Sequence, residues 1–436
     1  MTDALIRLED LHGSLTDPTL DSMNLLNEIS QRYPHAVSFA AGRPHEGGWA
    51  VEDLHRYLRI FCEHLATARG WSQEDVTRLL FQYGRTNGVI GDLVADNLAK
   101  DEGIVVDPEA VVVTVGCQEA MLLALRALTA GPRDAVLAVE PTYVGLAGAA
   151  RLLDVPVLPV PAGADGLDHE GLDRALREAR ARGVNPRALY VIPDFSNPLG
   201  VSLSLAGRRR LLDWAAREDV LLLEDNPYGL FAAGTERLPT LKALDTDRRV
   251  VYLGSYAKTA LPGVRIGFAV ADQPVADAAG NRVGLLADQL GKIKSMVSVN
   301  TPPVAQAVLG GRLLEAGGSL VTANAGTAAV YRENLARLLG GLSARFPAAG
   351  PGPKVTWNVP SGGFFVVVSV EFETTMALLE HSANAHGVLW TPMGQFYSDL
   401  RPTRQLRLSF SALGPDDIEL GLDRLASFVR EQSPPR

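Results

Sequence analysis

The segment from residue 249 to residue 267 reads Arg249-Val-Val-Tyr-Leu-Gly-Ser-Tyr-Ala-Lys258-Thr-Ala-Leu-Pro-Gly-Val-Arg265-Ile-Gly267. Its apolar opening predicts a buried strand, and the glycines, proline and small residues that follow predict a tight turn around Lys258. A second apolar run begins at Ile266, so we expect a second strand antiparallel to the first. A lysine at a strand end becomes a nucleophile when its ammonium pKa is lowered. Arg265 suggests that an anionic group lies beside it.

Similar apolar runs predict the remainder of a large sheet. The runs cover residues 111–114, 135–139, 156–160, 188–192, 220–223, 250–253 and 266–270. They lack polar alternation, as do strands that are buried on both faces of a parallel sheet. Helical patterns lie between several of them, at 118–128, 170–181 and 204–217. We therefore predict an α/β fold with a mostly parallel seven-stranded sheet and helices on both faces.

The order of strand and helix patterns along the sequence changes near residue 300. This change predicts a second, smaller α+β domain. Helical patterns cover residues 305–314 and 328–342, and strand patterns cover 362–370 and 405–410. We predict three parts: an N-terminal segment 1–50 that packs on the small domain, a large domain 51–310 and a small domain 311–436.

Composition excludes several classes of protein. The 436 residues are 47% hydrophobic and 21% charged, as in globular enzymes, and a net charge of −9 argues against nucleic acid or a membrane as partner. Two cysteines, Cys62 and Cys117, provide no disulfide framework. No signal peptide or apolar run of about 20 residues is visible, so a cytoplasmic location is expected. Without a His-Glu-x-x-His motif no metal site is expected, and without Gly-x-Gly-x-x-Gly after the first strand a nicotinamide dehydrogenase is disfavoured.

Polar residues follow the predicted strands, where ligands of open α/β sheets bind. They are Gly116-Cys117-Gln118, Glu140-Pro-Thr-Tyr143, Asn197-Pro, Asp225-Asn-Pro-Tyr228, and Ser255 with Lys258. Each stretch alone is an ordinary turn or cap. Together with the lysine and arginine pair, they point to pyridoxal 5′-phosphate (PLP), an aldehyde that lysines hold as an imine.

With these motifs the chain resembles the class I/II aminotransferases of the fold-type I PLP-dependent family over nearly its whole length. The matching segments are Phe39-Ala-Ala-Gly42-Arg-Pro44, Gln82-Tyr83-Gly84, Val115-Gly-Cys-Gln118, Glu140-Pro-Thr-Tyr143, Ser196-Asn-Pro-Leu-Gly200, Glu224-Asp225-Asn-Pro-Tyr228, Gly254 to Arg265, Pro360-Ser-Gly-Gly-Phe364 and Leu406-Arg407-Leu-Ser409. The opening stretch from Leu11 further resembles aminotransferases that make hydroxylated phenylglycines for peptide natural products.

The resemblance implies a role for each matching residue. Lys258 would form the imine and move the substrate proton, Asp225 would pair with the pyridine nitrogen, and Asn197 and Tyr228 would donate to the ring oxygen. Tyr143 would stack on the ring. The cofactor phosphate would be held by Arg265, Ser255, Gly116, Cys117 and Gln118, and by Tyr83 of a neighbouring subunit in a homodimer. Substrate would contact Gly42, Asn197 and Arg407, with Arg407 gripping the α-carboxylate.

Two positions depart from the family pattern. Ala257 stands where relatives usually carry a hydroxyl residue, and Cys117 stands where they often have serine. Arg43 and His45 lie where the family places the substrate entrance, and they either recognise a polar or acidic side chain of the substrate or belong to a solvated loop.

The expected reaction is amino transfer between a 2-amino acid, aromatic or of the arylglycine type, and a 2-oxo acid. The same cofactor chemistry also supports β- or γ-elimination, replacement or oxidation, and this alternative stays open. A PLP-binding transcription regulator is disfavoured, because the expected fold already includes residues 39–42.

Overall fold

A computed structural model describes residues 5–234, 236–349 and 352–434. The remaining positions of the predicted domains (1–4, 235, 350–351 and 435–436) lie outside the described residues. The helices are α1 Pro18–Arg32, α2 Val51–Ala68, α3 Gln73–Phe81, α4 Gly91–Glu102, α5 Gly116–Leu128, α6 Val144–Leu152, α7 His169–Ala181, α8 Leu205–Glu218, α9 Leu241–Leu244, α10 Leu286–Val297, α11 Pro303–Glu315, α12 Leu320–Ala323, α13 Ala325–Arg345, α14 Met376–His381 and α15 Pro415–Gln432.

The described strands form a seven-stranded sheet, a four-stranded sheet and two sheets of two strands each. They are β1 Val37–Ser38, β2 Val111–Val115, β3 Asp134–Glu140, β4 Val157–Pro161, β5 Asn185–Val191, β6 Leu221–Asp225, β7 Val250–Ser255, β8 Ile266–Val270, β9 Pro274–Ala276, β10 Arg282–Leu285, β11 Thr356–Trp357, β12 Phe365–Thr374, β13 Val388–Leu389, β14 Thr391–Pro392 and β15 Thr403–Ser409.

The predicted mostly parallel seven-stranded sheet is confirmed. Its strand order is β2-β8-β7-β6-β5-β3-β4. Strand β8 runs antiparallel to β2 and β7, as the short lysine turn predicts, and the other neighbours pair in parallel. Because β2, β3, β5, β6 and β7 point the same way, the residues that follow them meet at one edge of the sheet.

Helices cover both faces of this sheet, which explains its uninterrupted apolar strands. Helices α5, α6 and α10 pack on one face around Val136 and Leu253, and α7 and α8 pack on the other around Leu137 and Leu222. These four strand side chains have no measurable exposure. Helix caps fix the entry of the chain into two of the helices, since Asp168 and Ser204 accept hydrogen bonds from the first turns of α7 and α8.

A second sheet, in the order β11-β12-β15-β14, has its own core with α13 and α15. Val37 and Phe39 from the N-terminal part of the chain belong to this core, and β1 pairs in parallel with β13. Tyr228 and Phe231, which follow β6 of the large sheet, also pack there. The domain limits 1–50, 51–310 and 311–436 stay a prediction. None of the described helices has the length and apolar character that crossing a membrane requires.

Candidate active site

A cavity of about 530 Å³ lies where the edge of the large sheet meets the second sheet. Most of the predicted site residues line it: Gly42, Cys117, Gln118, Tyr143, Asn197, Asp225, Tyr228, Ser255, Lys258, Arg265 and Arg407. Gly116 lies against the Arg265 side chain, and Tyr83 lies outside the cavity. The sheet topology therefore brings together residues that are up to 365 positions apart (from Gly42 to Arg407).

Lys258 is held with its amine inside the cavity. Its Nζ donates a hydrogen bond to the carbonyl oxygen of Gly42 at 2.9 Å. Burial, with the positive charges of Arg265, Arg407 and Arg43, lowers the pKa of Lys258 to about 8. A substantial fraction of the amine is therefore neutral near physiological pH, as nucleophilic attack on an aldehyde requires.

Asp225, the last residue of β6, is a buried carboxyl group with two neutral donors. The Tyr190 hydroxyl donates to its Oδ2 at 2.6 Å, and the Cys117 thiol donates to its Oδ1 at 3.6 Å. Burial raises the pKa of Asp225 to about 6, against the effect of both hydrogen bonds. Burial and the nearby Asp225 raise the pKa of the Cys117 thiol, so Cys117 is a packing residue and a donor rather than a nucleophile.

The beginning of α5 and the turn at Arg265 form a pocket suited to an anion. Gly116 opens the helix with a φ of 72°, and a Cβ atom there would lie 2.5 Å from Nη2 of Arg265. Amide groups at a helix start and an arginine together favour a phosphate. The hydroxyl group of Ser255 lies at the end of β7 and accepts a hydrogen bond from the Ala257 amide at 3.3 Å.

Arg407 enters the cavity from β15 and contacts the loop after β5 and the N-terminal part of the chain. Its Nη1 donates to Oδ1 of Asn197 at 2.5 Å, and its Nη2 donates to the carbonyl oxygen of Ala40 at 2.9 Å. Its guanidinium lies 4.2 Å from the ring centre of Phe365 and 4.8 Å from that of Phe396. Burial lowers the pKa of Arg407 to about 10, so it stays cationic at neutral pH. Within the described part of the chain, its buried Nε has no hydrogen-bond partner.

The two tyrosines of the cavity are fully protonated at neutral pH. Burial raises the pKa of Tyr143 and of Tyr228 well above the ordinary value, and a hydrogen bond with Asn197 opposes the shift at Tyr228. Both hydroxyl groups can therefore donate hydrogen bonds into the cavity.

Three contributors to the site are absent from the sequence prediction. Tyr190 lies inside an apolar strand pattern. Its only signal in the sequence is that a tyrosine buried in a strand needs a hydrogen-bond partner for its hydroxyl group. Phe365 and Phe396 flank Arg407, but neither lies in a motif of its own. Their contribution depends on how the second sheet meets the first.

The donor set fits PLP. A lysine with a lowered pKa suits the aldehyde, the Gly116 and Arg265 pocket suits the phosphate, and the buried carboxyl group of Asp225 suits a cationic pyridine nitrogen. Tyr83 is 85% exposed and lines a separate groove with Trp71 and Arg85. Within one chain, Tyr83 does not contribute to the Lys258 cavity.

Comparison with known proteins supports this assignment. The family described as aminotransferase class I and II matches residues 62–425. A (S)-3,5-dihydroxyphenylglycine transaminase of Amycolatopsis orientalis is 52% identical over 431 residues, covering 97% of this chain and 94% of the relative. A 2-aminoadipate transaminase of Thermus thermophilus is 33% identical and covers 93% of this chain and 92% of its own length.

Solved structures share the fold. The kynurenine aminotransferase of Pyrococcus horikoshii, solved with PMP, has a TM-score of 0.78 at 26% identity and covers 93% of this chain and 94% of its own. LysN of Thermus thermophilus, solved with N-(5′-phosphopyridoxyl)-L-leucine, has a TM-score of 0.75 at 27% identity, with 94% and 97% covered. The predicted resemblance, fold type and cofactor are confirmed. The chain belongs to the class I and II aminotransferases and is a PLP-dependent aminotransferase.

Proposed function

We propose that this aminotransferase moves an amino group between an arylglycine and a 2-oxo acid, with (S)-3,5-dihydroxyphenylglycine as the leading candidate. The 52% identity to a transaminase named for that amino acid, over nearly the whole of both chains, favours this substrate class. The family and this relative favour transamination over the elimination, replacement and oxidation alternatives.

The contacts around Arg407 are the observation that best supports an arylglycine as the substrate. An arylglycine has its ring directly on Cα, so the ring lies one carbon from the carboxylate. Arg407 offers a fork to a carboxylate, and Phe365 and Phe396 place aromatic faces within 4.8 Å of that same guanidinium. A ring and a carboxylate that are held close together suit such a site.

Each residue of the cavity has a proposed part in the reaction. PLP, when bound, supplies an electron sink for the bond that breaks at the substrate Cα. Lys258 moves the proton at Cα, and Asp225 keeps the pyridine nitrogen protonated. Asn197 and Tyr228 bind the ring oxygen, and Tyr143 packs on the ring.

The phosphate contacts form a second group of proposed roles. Arg265, Ser255 and the residues Gly116, Cys117 and Gln118 bind the phosphate. Since the side chains of Ala257 and Cys117 carry no hydroxyl group, Arg265 bears much of this interaction.

A comparison of amino donors tests the substrate class. We expect kcat/KM for (S)-3,5-dihydroxyphenylglycine to exceed that for L-2-aminoadipate by at least roughly tenfold, because a flexible acidic side chain gains little from aromatic walls. A preference for L-2-aminoadipate or L-alanine would contradict the arylglycine assignment while leaving amino transfer intact.

Arg407→Lys tests the carboxylate contact. A lysine keeps the charge but loses the planar fork, so kcat/KM should fall by roughly a hundredfold, mainly through KM, with cofactor content unchanged. Arg404→Lys is the matched control, because Arg404 lies on the same strand β15 and is exposed. Equal losses in both variants would exclude a specific role for Arg407.

We further propose a homodimer in which Tyr83 reaches the phosphate of the neighbouring subunit. Exposed apolar side chains support an interface here: Phe81, Tyr83, Met296, Val297, Val299 and Val304. Gly84 lies within 4 Å of Asn300 and Pro303 at its Cβ position, so these segments are adjacent. An apolar surface of this kind is typical of subunit contacts. The cytoplasmic location stays a prediction.

A further inference from the structure

We propose that His381, His386 and Glu431 form a binding site for one Zn²⁺ ion. The site lies on the surface of the part of the molecule built around the second sheet, away from the Lys258 cavity. Within the part of the chain that the structure describes, this is the one group of histidine, cysteine and carboxylate side chains whose ligand atoms could share a metal ion. These atoms lie within 4.8 Å of one another. Imidazole and carboxylate ligands suit Zn²⁺.

The carboxylate of Glu431 already lies between the two rings. Nε2 of His381 is 2.7 Å from Oε1 of Glu431, and Nε2 of His386 is 2.8 Å from Oε2. A tetrahedral Zn²⁺ ion with bonds of about 2.0–2.1 Å would separate its ligands by about 3.3 Å. Each imidazole nitrogen would therefore move about half an ångström away from its carboxylate oxygen, and ligand atoms that are now up to 4.8 Å apart would move closer together. The exposed side chains of His381 and Glu431 permit these movements.

An unusual turn gives the two histidines a common direction. Helix α14 ends at His381, and a π-helical turn continues over Ser382–His386. Residues five apart on an α-helix would point about 140° away from each other. The wider π turn instead brings both imidazoles onto the face that meets Glu431 in the last turn of α15.

Contacts beneath the turn hold this arrangement in place. The buried hydroxyl group of Ser382 donates to the Val388 carbonyl at 2.9 Å and accepts from the Trp390 indole at 3.0 Å. The His386 ring packs edge-on against Phe428, with ring centres 5.6 Å apart. The turn and the His386 ring therefore lose little conformational freedom when a metal binds, and the exposed side chains of His381 and Glu431 adjust to it.

The sequence alone does not reveal such a site, because Glu431 lies 45 residues after His386. Bound Zn²⁺ would join the π turn to α15. It would stabilise the part of the molecule built around the second sheet, since metal that binds only the folded state shifts the unfolding equilibrium. The remaining coordination position would be open to water.

Zinc titration of the tag-free holoenzyme tests the proposal, using competition with a chromophoric chelator. The wild type should bind one more equivalent per subunit than Glu431→Gln or His381→Ala, or bind that equivalent at least about tenfold more tightly, because loss of a direct ligand costs no less than loss of an outer-shell partner. Zn²⁺ should also raise the melting temperature of the wild type by a few degrees and leave that of the variants unchanged.

His12→Ala is the matched control, because His12 is an exposed histidine with a single carboxylate partner, Asp154 at 3.3 Å. It should bind zinc like the wild type. X-ray absorption of the zinc-loaded wild type should give imidazole and oxygen scattering. Equal zinc binding by wild type and variants, or sulfur scattering from Cys62 or Cys117, would overturn the proposal.

Discussion

At the residue scale, we expect the environment of Lys258 to set the pH at which the protein captures its cofactor. Only a neutral amine attacks an aldehyde, and the lowered pKa of Lys258, about 8, makes that form available. The rate of PLP capture by the apoprotein, followed by absorbance, should therefore rise with pH and level off just above 8. A rate that still rises at pH 10, as for a lysine with the ordinary pKa of 10.5, would contradict this environment.

Arg43 tests how far nearby positive charges lower the pKa of Lys258. Its positive charge contributes to the lowered pKa of Lys258, after burial, Arg265 and Arg407. Arg43→Gln should move the plateau of the capture rate to a higher pH, because removal of a nearby positive charge stabilises the ammonium form. An unchanged plateau would mean that solvent screens Arg43 from the amine.

We expect Tyr190 to act as a positioning residue through Asp225. Its hydrogen bond favours the ionised carboxylate, so Tyr190→Phe should raise the pKa of Asp225 above about 6. The acidic limb of the pH profile of kcat/KM should move to higher pH, and kcat should fall by about tenfold. Tyr252→Phe is the control, since its hydroxyl group contacts Asn226 rather than Asp225. An unmoved acidic limb would make Tyr190 a merely structural residue.

At the element scale, the junction of β2 with α5 shapes the proposed phosphate pocket. Gly116→Ala would add a Cβ atom 2.5 Å from Nη2 of Arg265 at a backbone φ of 72°, which costs about 1–2 kcal/mol in conformation alone. PLP affinity, measured by equilibrium binding, should fall by roughly tenfold or more. Gly131→Ala, which meets open space, should bind PLP normally. Equal affinity in both variants would place the phosphate elsewhere.

Elements differ in how well the sequence predicts them. The strands of the large sheet are predictable because burial on both faces produces uninterrupted apolar runs, as at Val250–Ser255. The strand expected at 362–370 begins instead at Phe365, because Gly363 has a φ of 72° that no strand residue adopts. Motif residues such as Asp225 are predictable since each lies at, or just after, the end of a strand.

Contacts between distant elements are not predictable in the same way. Phe396 reaches Arg407 only through the packing of a loop between β14 and β15, and Tyr190 reaches Asp225 across neighbouring strands. Their side chains carry no local pattern, because the interaction is created by the fold rather than by spacing along the chain.

At the scale of the whole molecule, the proposed homodimer can be tested by mixing two defective subunits. Lys258→Ala lacks the amine, and Tyr83→Ala lacks the proposed cross-subunit phosphate contact. If Tyr83 acts across the interface, a hybrid dimer contains one complete site, so activity at limiting PLP should exceed that of either parent. If Tyr83 acts within its own chain, or not at all, mixing should give no gain.

Arylglycine transamination is tested most directly by counting the 2-oxo acid released when no amino acceptor is present. Amino transfer on an arylglycine predicts that wild-type holoenzyme releases one equivalent of 3,5-dihydroxyphenylglyoxylate per subunit from (S)-3,5-dihydroxyphenylglycine and then stops. Lys258→Ala should release essentially no 2-oxo acid over the same time, because the amine that moves the proton at Cα is then missing. Continuous release with free ammonia, or no release from any arylglycine, would contradict amino transfer on an arylglycine.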